Sequence, residues 1–437
     1  MKKPLFLFAT ATLLLVAFPF FAQGATKSIT QTPMIAITTG PLSDQSVGMV
    51  VRGKIIYLFG TVTGVATTDG FIQALDTTGK VIWSLPLDNG LNEIATAATF
   101  DSSGNVWIAG SAQTPQPSLS PVASPTPSST PSTSPSATPT PSVSTTPSVT
   151  PTSTPTFLNP DGVTADTAVP MRKDLTSLVL WKVSPAGVLL GTYLNELSAP
   201  FLIRSAAFAN NAISVVGIIS TSSGHAGMLV QSDLNGSFGK PVLVGKSDTE
   251  LNALAKRSDG SLLLLGSSSE TIAKQTRKGT KDGILVVVSQ TGKVSSVVRS
   301  SNISSIRSWQ STTNSFFLGG DANTSGKNEA VVTKFSSTLV PTWTARFSSS
   351  SPAMTADSST SHFLALSSVG AIAGLKGWKP SKASLLLVSL NAKGGLNGAY
   401  GAPQIAVPMA IGYSRELGIV VLGRGQTGVS IFHVLPR

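Results

Sequence analysis

The chain has no cysteine among its 437 residues. That excludes disulfides, thiolate-held metals, a cysteine nucleophile and a lipid-modified N-terminal cysteine. Histidine is almost as scarce, at His225, His362 and His433. None belongs to an H-x-x-x-H pair or stands beside a run of carboxylates, so the sequence offers no local support for a histidine metal centre or general base. Charged residues make up only 12% of the chain, which lacks both a D-x-D-x-D-G calcium loop and a G-x-S-x-G nucleophile turn. Beyond residue 22 no apolar run is long enough to span a bilayer.

What is present begins with a targeting segment. Lys2 and Lys3 precede an apolar run over 5–22, and Ala22-Gln23-Gly24 supplies the small-x-small pattern of a cleavage site. Residues 1–24 read as a secretory signal peptide, with an uncleaved anchor as the alternative, and Pro19 favours cleavage. The rest is expected to be exported, with the signal segment its one membrane contact. Lys and Arg total 31 against 20 Asp and Glu, a net charge of +11 that favours anionic partners without choosing among them.

The remainder reads as short β-branched and aromatic strands separated by turn residues. Asp76-Thr77-Thr78-Gly79 and Asp101-Ser102-Ser103-Gly104 are turns in which Asp bonds the backbone ahead and Gly takes positive φ. One kind of strand closes in Gly or another small residue: IIYLFG, NVWIAG, ISVVGI, SLLLLG, SFFLGG, HFLALS and GIVVLG. The spacing is about 50 residues once one tract is set aside. A second kind, typified by GILVVVS and SLLLVSL, consists of solid apolar runs covered on both faces. The tract set aside, 113–156, is nearly all Ser, Thr and Pro and carries no charge. Too few strands precede it to close a core, so it is expected to be a disordered loop inserted in one domain rather than a linker between two. The expected fold is all-β: a seven-bladed β-propeller of four-stranded antiparallel blades spanning 31–437 as a single domain, with six or eight blades also compatible. The last repeat stops at its third strand, so 34–39 (MIAITT) is expected to supply the missing outer edge and close the ring.

Two segments carry a resemblance. Ala74 to Trp83 reads A-L-D-T-T-G-K-V-I-W, and Asp101 to Gly110 reads D-S-S-G-N-V-W-I-A-G. Both resemble the units of bacterial extracellular β-propeller repeat proteins, and the first is also similar to quinoprotein-type propeller repeats. The resemblance implies a secreted seven-bladed propeller and no single activity. Two enzyme patterns fail: the nearest approach to a sialidase aspartate box has one residue too many between Asp101 and Gly104, and no carboxylate set stands out for a quinoprotein calcium.

In propellers of this type, the loops after the second strand of each blade share one face. Here those loops carry Lys274, Arg277, Lys278 and Lys281 in one repeat, and Lys376, Lys379 and Lys382 around Trp378 in another. These eight residues are the candidate binding set, the lysines and arginine gathering an anionic polymer and Trp378 stacking on a sugar ring; the plainer reading is a solvated basic surface. The expected function is a secreted, monomeric, non-catalytic binding or scaffold protein for an anionic cell-envelope glycan or protein. It needs no cofactor, metal or nucleic acid. The alternative is an extracellular hydrolase or quinoprotein-like enzyme working in the central channel.

Overall fold

The computed structural model describes residues 28–42, 46–63, 67–114, 171–301, 303–426 and 428–435. The proposed signal segment, and the Ser/Thr/Pro tract from residue 115 on, lie outside them. Among the described residues there is no helix, and the strands form seven four-stranded antiparallel blades arranged as a ring.

The blades follow chain order, each running from an inner strand at the central channel to an outer one. The inner strands are Ser46–Arg52, Glu93–Phe100, Phe201–Ala209, Thr249–Lys256, Ser305–Thr312, Met354–Asp357 and Ile405–Ser414. Burial explains the two strand patterns. The second and third strands of blade 4, Leu262–Ser268 and Asp282–Val288, are buried at every position because neighbouring blades cover both faces. The outer strand of blade 5, Pro341–Ser348, alternates between exposed and half-buried because one face meets water.

The inserted tract belongs to blade 2. Its flanking strands, Val106–Gln113 and Leu175–Val183, are antiparallel neighbours with Val106 opposite Val183. Residues 114–174 therefore join the second and third strands of a single blade. The ring closes through the N-terminus: Ile35–Leu42 pairs antiparallel with Gly428–Val434, and Ile35 lies opposite His433. The chain also makes two contacts on its way there. Ile29–Thr30 pairs in parallel with Leu375–Lys376, and Thr32–Pro33 adds a fifth strand to blade 6 beside Leu396–Ala402.

The strand-closing glycines have a structural cause. In blades 2 to 5, Gly110, Gly217, Gly266 and Gly320 each pair with the inner-strand residue just before a bulge. A Cβ on any of them would come within 1.8–2.0 Å of an inner-strand carbonyl oxygen. Blade 6 has Leu366 at the corresponding position, opposite Leu386, and its inner strand Met354–Asp357 starts opposite the preceding residue, Ala365, and pairs without a bulge. A bulge adds one residue and re-aims it. The added residues are Thr96, Arg204, Asn252 and Gln310, and all four line the channel.

Candidate functional site: the channel mouth and the loop face

The channel encloses a cavity of about 300 Å³ bordered by all seven inner strands. Alanines 97, 98, 206, 253 and 410 make much of its wall, and the bulge residues bring polar groups in near the end that carries the loops between second and third strands. Arg204 is the one ionisable side chain among the lining residues. Burial pushes its guanidinium below the usual arginine range, opposed by Glu250, and its Nε has no partner among the described residues.

Beside this mouth lies a charged cluster built from three separate strands. Asp248 and Glu250 stand at the start of the blade 4 inner strand, and His225 lies near the start of the blade 3 strand Gly224–Asp233. Lys281, which immediately precedes Asp282–Val288, places its Nζ 2.7 Å from Asp248 Oδ1 and 3.0 Å from Glu250 Oε1. His225 Nε2 is 3.6 Å from each of those oxygens. Burial would raise the Glu250 carboxyl, but the His225 ring and the Lys281 ammonium outweigh it and hold it at about 2. In the sequence no run of carboxylates stands beside His225, and Lys281 groups with the candidate binding cations. Both expectations are corrected: His225, on the third strand of blade 3, lies beside the start of the blade 4 inner strand, and Lys281 meets the acids at the start of its own blade's inner strand across the second strand.

The loop that carries Lys274, Arg277 and Lys278 is firmly held. Ala273 and Lys274 adopt left-handed φ of 48° and 67° in a tight turn closed by Ile272 and Gln275. The Asp282 carboxylate accepts the amides of Lys278 and Gly279 at 2.9 and 2.8 Å and pairs with Arg299 at 3.2 Å. Glu270 accepts the amides of Lys246, Ser247 and Asp248 and the hydroxyl of Thr249. Burial raises its carboxyl, but these donors prevail and hold it at about 2. Lys274, Arg277 and Lys278 project from this scaffold exposed, and Arg277 donates to the carbonyl of Thr280 at 3.1 Å.

Blade 6 presents Lys376, Lys379 and Lys382, also exposed, on its corresponding loop. None of these six side chains is paired with a carboxylate among the described residues. Trp378 does not join them. It is only 4% exposed, donates its Nε1 to Ser368 Oγ at 3.0 Å, and packs in the blade 6 core with Leu375, Leu366 and Leu386. The expectation of a stacking platform is therefore corrected. Gly401 leaves the space that the ring fills, since a Cβ there would lie 2.4 Å from it.

A serine, an aspartate and a histidine meet on the opposite face of the ring. Asp357 accepts from Ser315 Oγ at 2.5 Å and contacts His362 Nδ1 at 2.6 Å, next to a cleft of about 730 Å³ that includes Ser315, Lys334 and Trp343. The carboxylate stands between serine and histidine, whereas a nucleophilic triad needs the imidazole there. Phe317 and Trp343 pack against the His362 ring. The Asp76 and Asp101 turns on the same face are self-contained: Asp76 bonds the amides of Thr78 and Lys80, and Asp101 bonds Asn105 and the Trp107 indole.

No protein-family model and no curated protein matches this chain. Solved structures are similar to the chain over most of its length. Hydrazine synthase of Kuenenia stuttgartiensis is 7% identical, with 91% of this chain and 98% of that one covered and a TM-score of 0.49. The Pan2 WD40 domain of Neurospora crassa is 9% identical, over 94% and 97%, with a TM-score of 0.49. The β-propeller domain of the Trilobed protease from Pyrococcus furiosus is 9% identical, over 89% and 92%, with a TM-score of 0.45. The activities of those proteins do not carry over to this chain.

Proposed function

We propose that this protein is a secreted, non-catalytic propeller of the bacterial extracellular repeat type, which holds an anionic cell-envelope glycopolymer against its loop face. The observation that carries the reading is the pair of basic loops on blades 4 and 6. Each presents three exposed cations with no acidic partner among the described residues, and they flank blade 5 on one side of the ring. Held cations that spend no charge internally are suited to a repeating anionic chain, which offers many weak contacts along its length. Arg204 at the channel mouth adds a cation of the same sign. Export rests on the sequence of residues 1–24.

The test is retention of the purified protein on an immobilised phosphate- or carboxylate-bearing polysaccharide across a salt gradient. Retention should weaken steeply with salt. Lys274→Ser/Arg277→Ser/Lys278→Ser and Lys376→Ser/Lys379→Ser/Lys382→Ser should each elute earlier than the parent, and the sixfold variant should not bind. Unchanged elution of the sixfold variant would refute the reading.

A further inference from the structure

A second group of acids lies on the same face, at the junction of blades 1 and 2. Asp69 is the second residue of Thr68–Leu75, Asp88 follows Val81–Leu87, and Glu93 opens the inner strand Glu93–Phe100. Each offers a carboxylate oxygen, and the three oxygens lie within 4.8 Å of one another. The connecting turn holds the group together: Gly90, at φ 76°, donates its amide to Asp88 at 2.6 Å, and Asn89 donates its amide to Glu93 Oε1 at 3.1 Å.

Two further observations separate this group from an ordinary acidic surface. The Glu93 side chain is 0% exposed, yet its Oε2 has no hydrogen-bond donor among the described residues. Asp69 Oδ1 is likewise buried and without a donor. A buried carboxylate oxygen left in this state costs on the order of a hydrogen bond to a charged group. The contrast with Asp248 and Glu250 is direct. There the protein inserts its own ammonium, Lys281, between the two acids. Here three acids converge, and none forms an ion pair with any described lysine, arginine or histidine. Burial, together with the charges of Asp88 and Asp69, pushes the Glu93 carboxyl up to about 7, against the pull of its bonds to Asn89.

We propose that Asp69, Asp88 and Glu93 form a calcium site that ties blade 1 to blade 2. The donors are all oxygen, as a hard cation requires, and no soft or imidazole ligand is in the set. Calcium fits better than magnesium, because ligands from three strand ends form an irregular shell that calcium accepts, whereas magnesium demands a near-ideal octahedron. The site also bears on the long insertion. Asn92, one residue before Glu93, accepts the Thr68 amide at 3.0 Å and donates to the Gln113 side chain at 3.2 Å. Gln113 ends the strand from which the insertion departs, so an ion at Glu93 would anchor the root of that loop.

The experiment uses the full secreted chain, stripped with a chelator and titrated with calcium chloride or magnesium chloride by calorimetry, with thermal unfolding followed in parallel. One calcium should bind, with Kd of about 10⁻³ M or tighter, and saturation should raise Tm. Magnesium should bind at least about tenfold more weakly. Glu93→Gln should abolish both the heat and the Tm response while folding normally, since it is nearly isosteric. Asp88→Asn, at an exposed position, should weaken binding about tenfold by removing one ligand charge. A stripped wild-type protein that takes up no calcium at 10 mM (roughly tenfold above that Kd) overturns the proposal. So does a folded Glu93→Gln variant that binds calcium as the parent does.

Discussion

Lys281 Nζ lies 2.7 Å from Asp248 Oδ1, across 33 residues of sequence and next to the seam between blades 3 and 4. Burial would lower the lysine, but Glu250 and Asp248 outweigh it and raise its pKa, so the ammonium is a fixed structural charge. Lys281→Met would leave two half-buried carboxylates facing each other and His225. The expected loss is about 1–3 kcal/mol, below the cost of breaking a fully buried pair because water still reaches all three groups. Urea unfolding measures it, and adding Asp248→Asn and Glu250→Gln to the variant should restore most of the stability. Retention on an anionic polysaccharide should be unchanged, because this charge is already neutralised inside the protein.

The Gly266 Cα faces the carbonyl of Glu250 so closely that an added Cβ would lie 1.8 Å from its oxygen. Gly266→Ala must therefore open the inner strand of blade 4 at its bulge, beside Asn252. A loss of about 2–4 kcal/mol is expected, at the upper end for one added methyl because backbone has to move. Gly110→Ala, with Ile94 O at 1.8 Å, should behave alike in blade 2. A change in denaturation midpoint below that of an ordinary surface substitution would show that the bulges yield easily.

Trp378 is placed to stabilise rather than to bind. Trp378→Ala removes a large ring from the blade 6 core and should cost about 3–5 kcal/mol. Trp378→Phe keeps most of the volume, leaves Ser368 without its indole donor, and should cost about 1 kcal/mol from that bond. Thermal unfolding separates the two. Polysaccharide retention of Trp378→Phe should match the parent, the opposite of what a stacking platform would give.

Much of the fold was legible because each strand type states its environment. Apolar runs such as Ile284 to Val288 mark strands covered on both faces, and Gly79 and Gly104 mark turns at φ 85° and 87°. The ring closure by Ile35–Leu42 was readable from an unpaired repeat end. The strap at Ile29–Thr30 and Thr32–Pro33 was not, because two-residue parallel pairings leave no periodicity. The site was legible only in part. The candidate cations could be listed, but that Lys281 alone among them is spent on carboxylates depends on contacts between strands far apart in sequence. His225 with Asp248, and Asp69 with Glu93, are such contacts. Trp378 failed for a related reason: its neighbours Lys376 and Lys379 are polar, while the space it fills is defined by Gly401 on another strand.

Glu250 and Glu270 make the loop face sensitive to acid. Both carboxyls sit at about 2 in the folded protein, against an ordinary value of 4.5. A folded-state value depressed in this way contributes stability that is fully present above the unfolded value. It is lost progressively as pH falls from about 4.5 through about 2. The denaturant midpoint should therefore be flat in these two groups between pH 6 and 8 and should fall steeply below about pH 4.5. Glu270→Gln tests the assignment, because its amide still accepts bonds from the Lys246, Ser247 and Asp248 amides but no longer titrates. The variant should be less stable than the parent at pH 7 and should lose part of the acid slope, so the two midpoint curves converge toward pH 2.5. Parallel curves would mean that Glu270 does not carry the dependence.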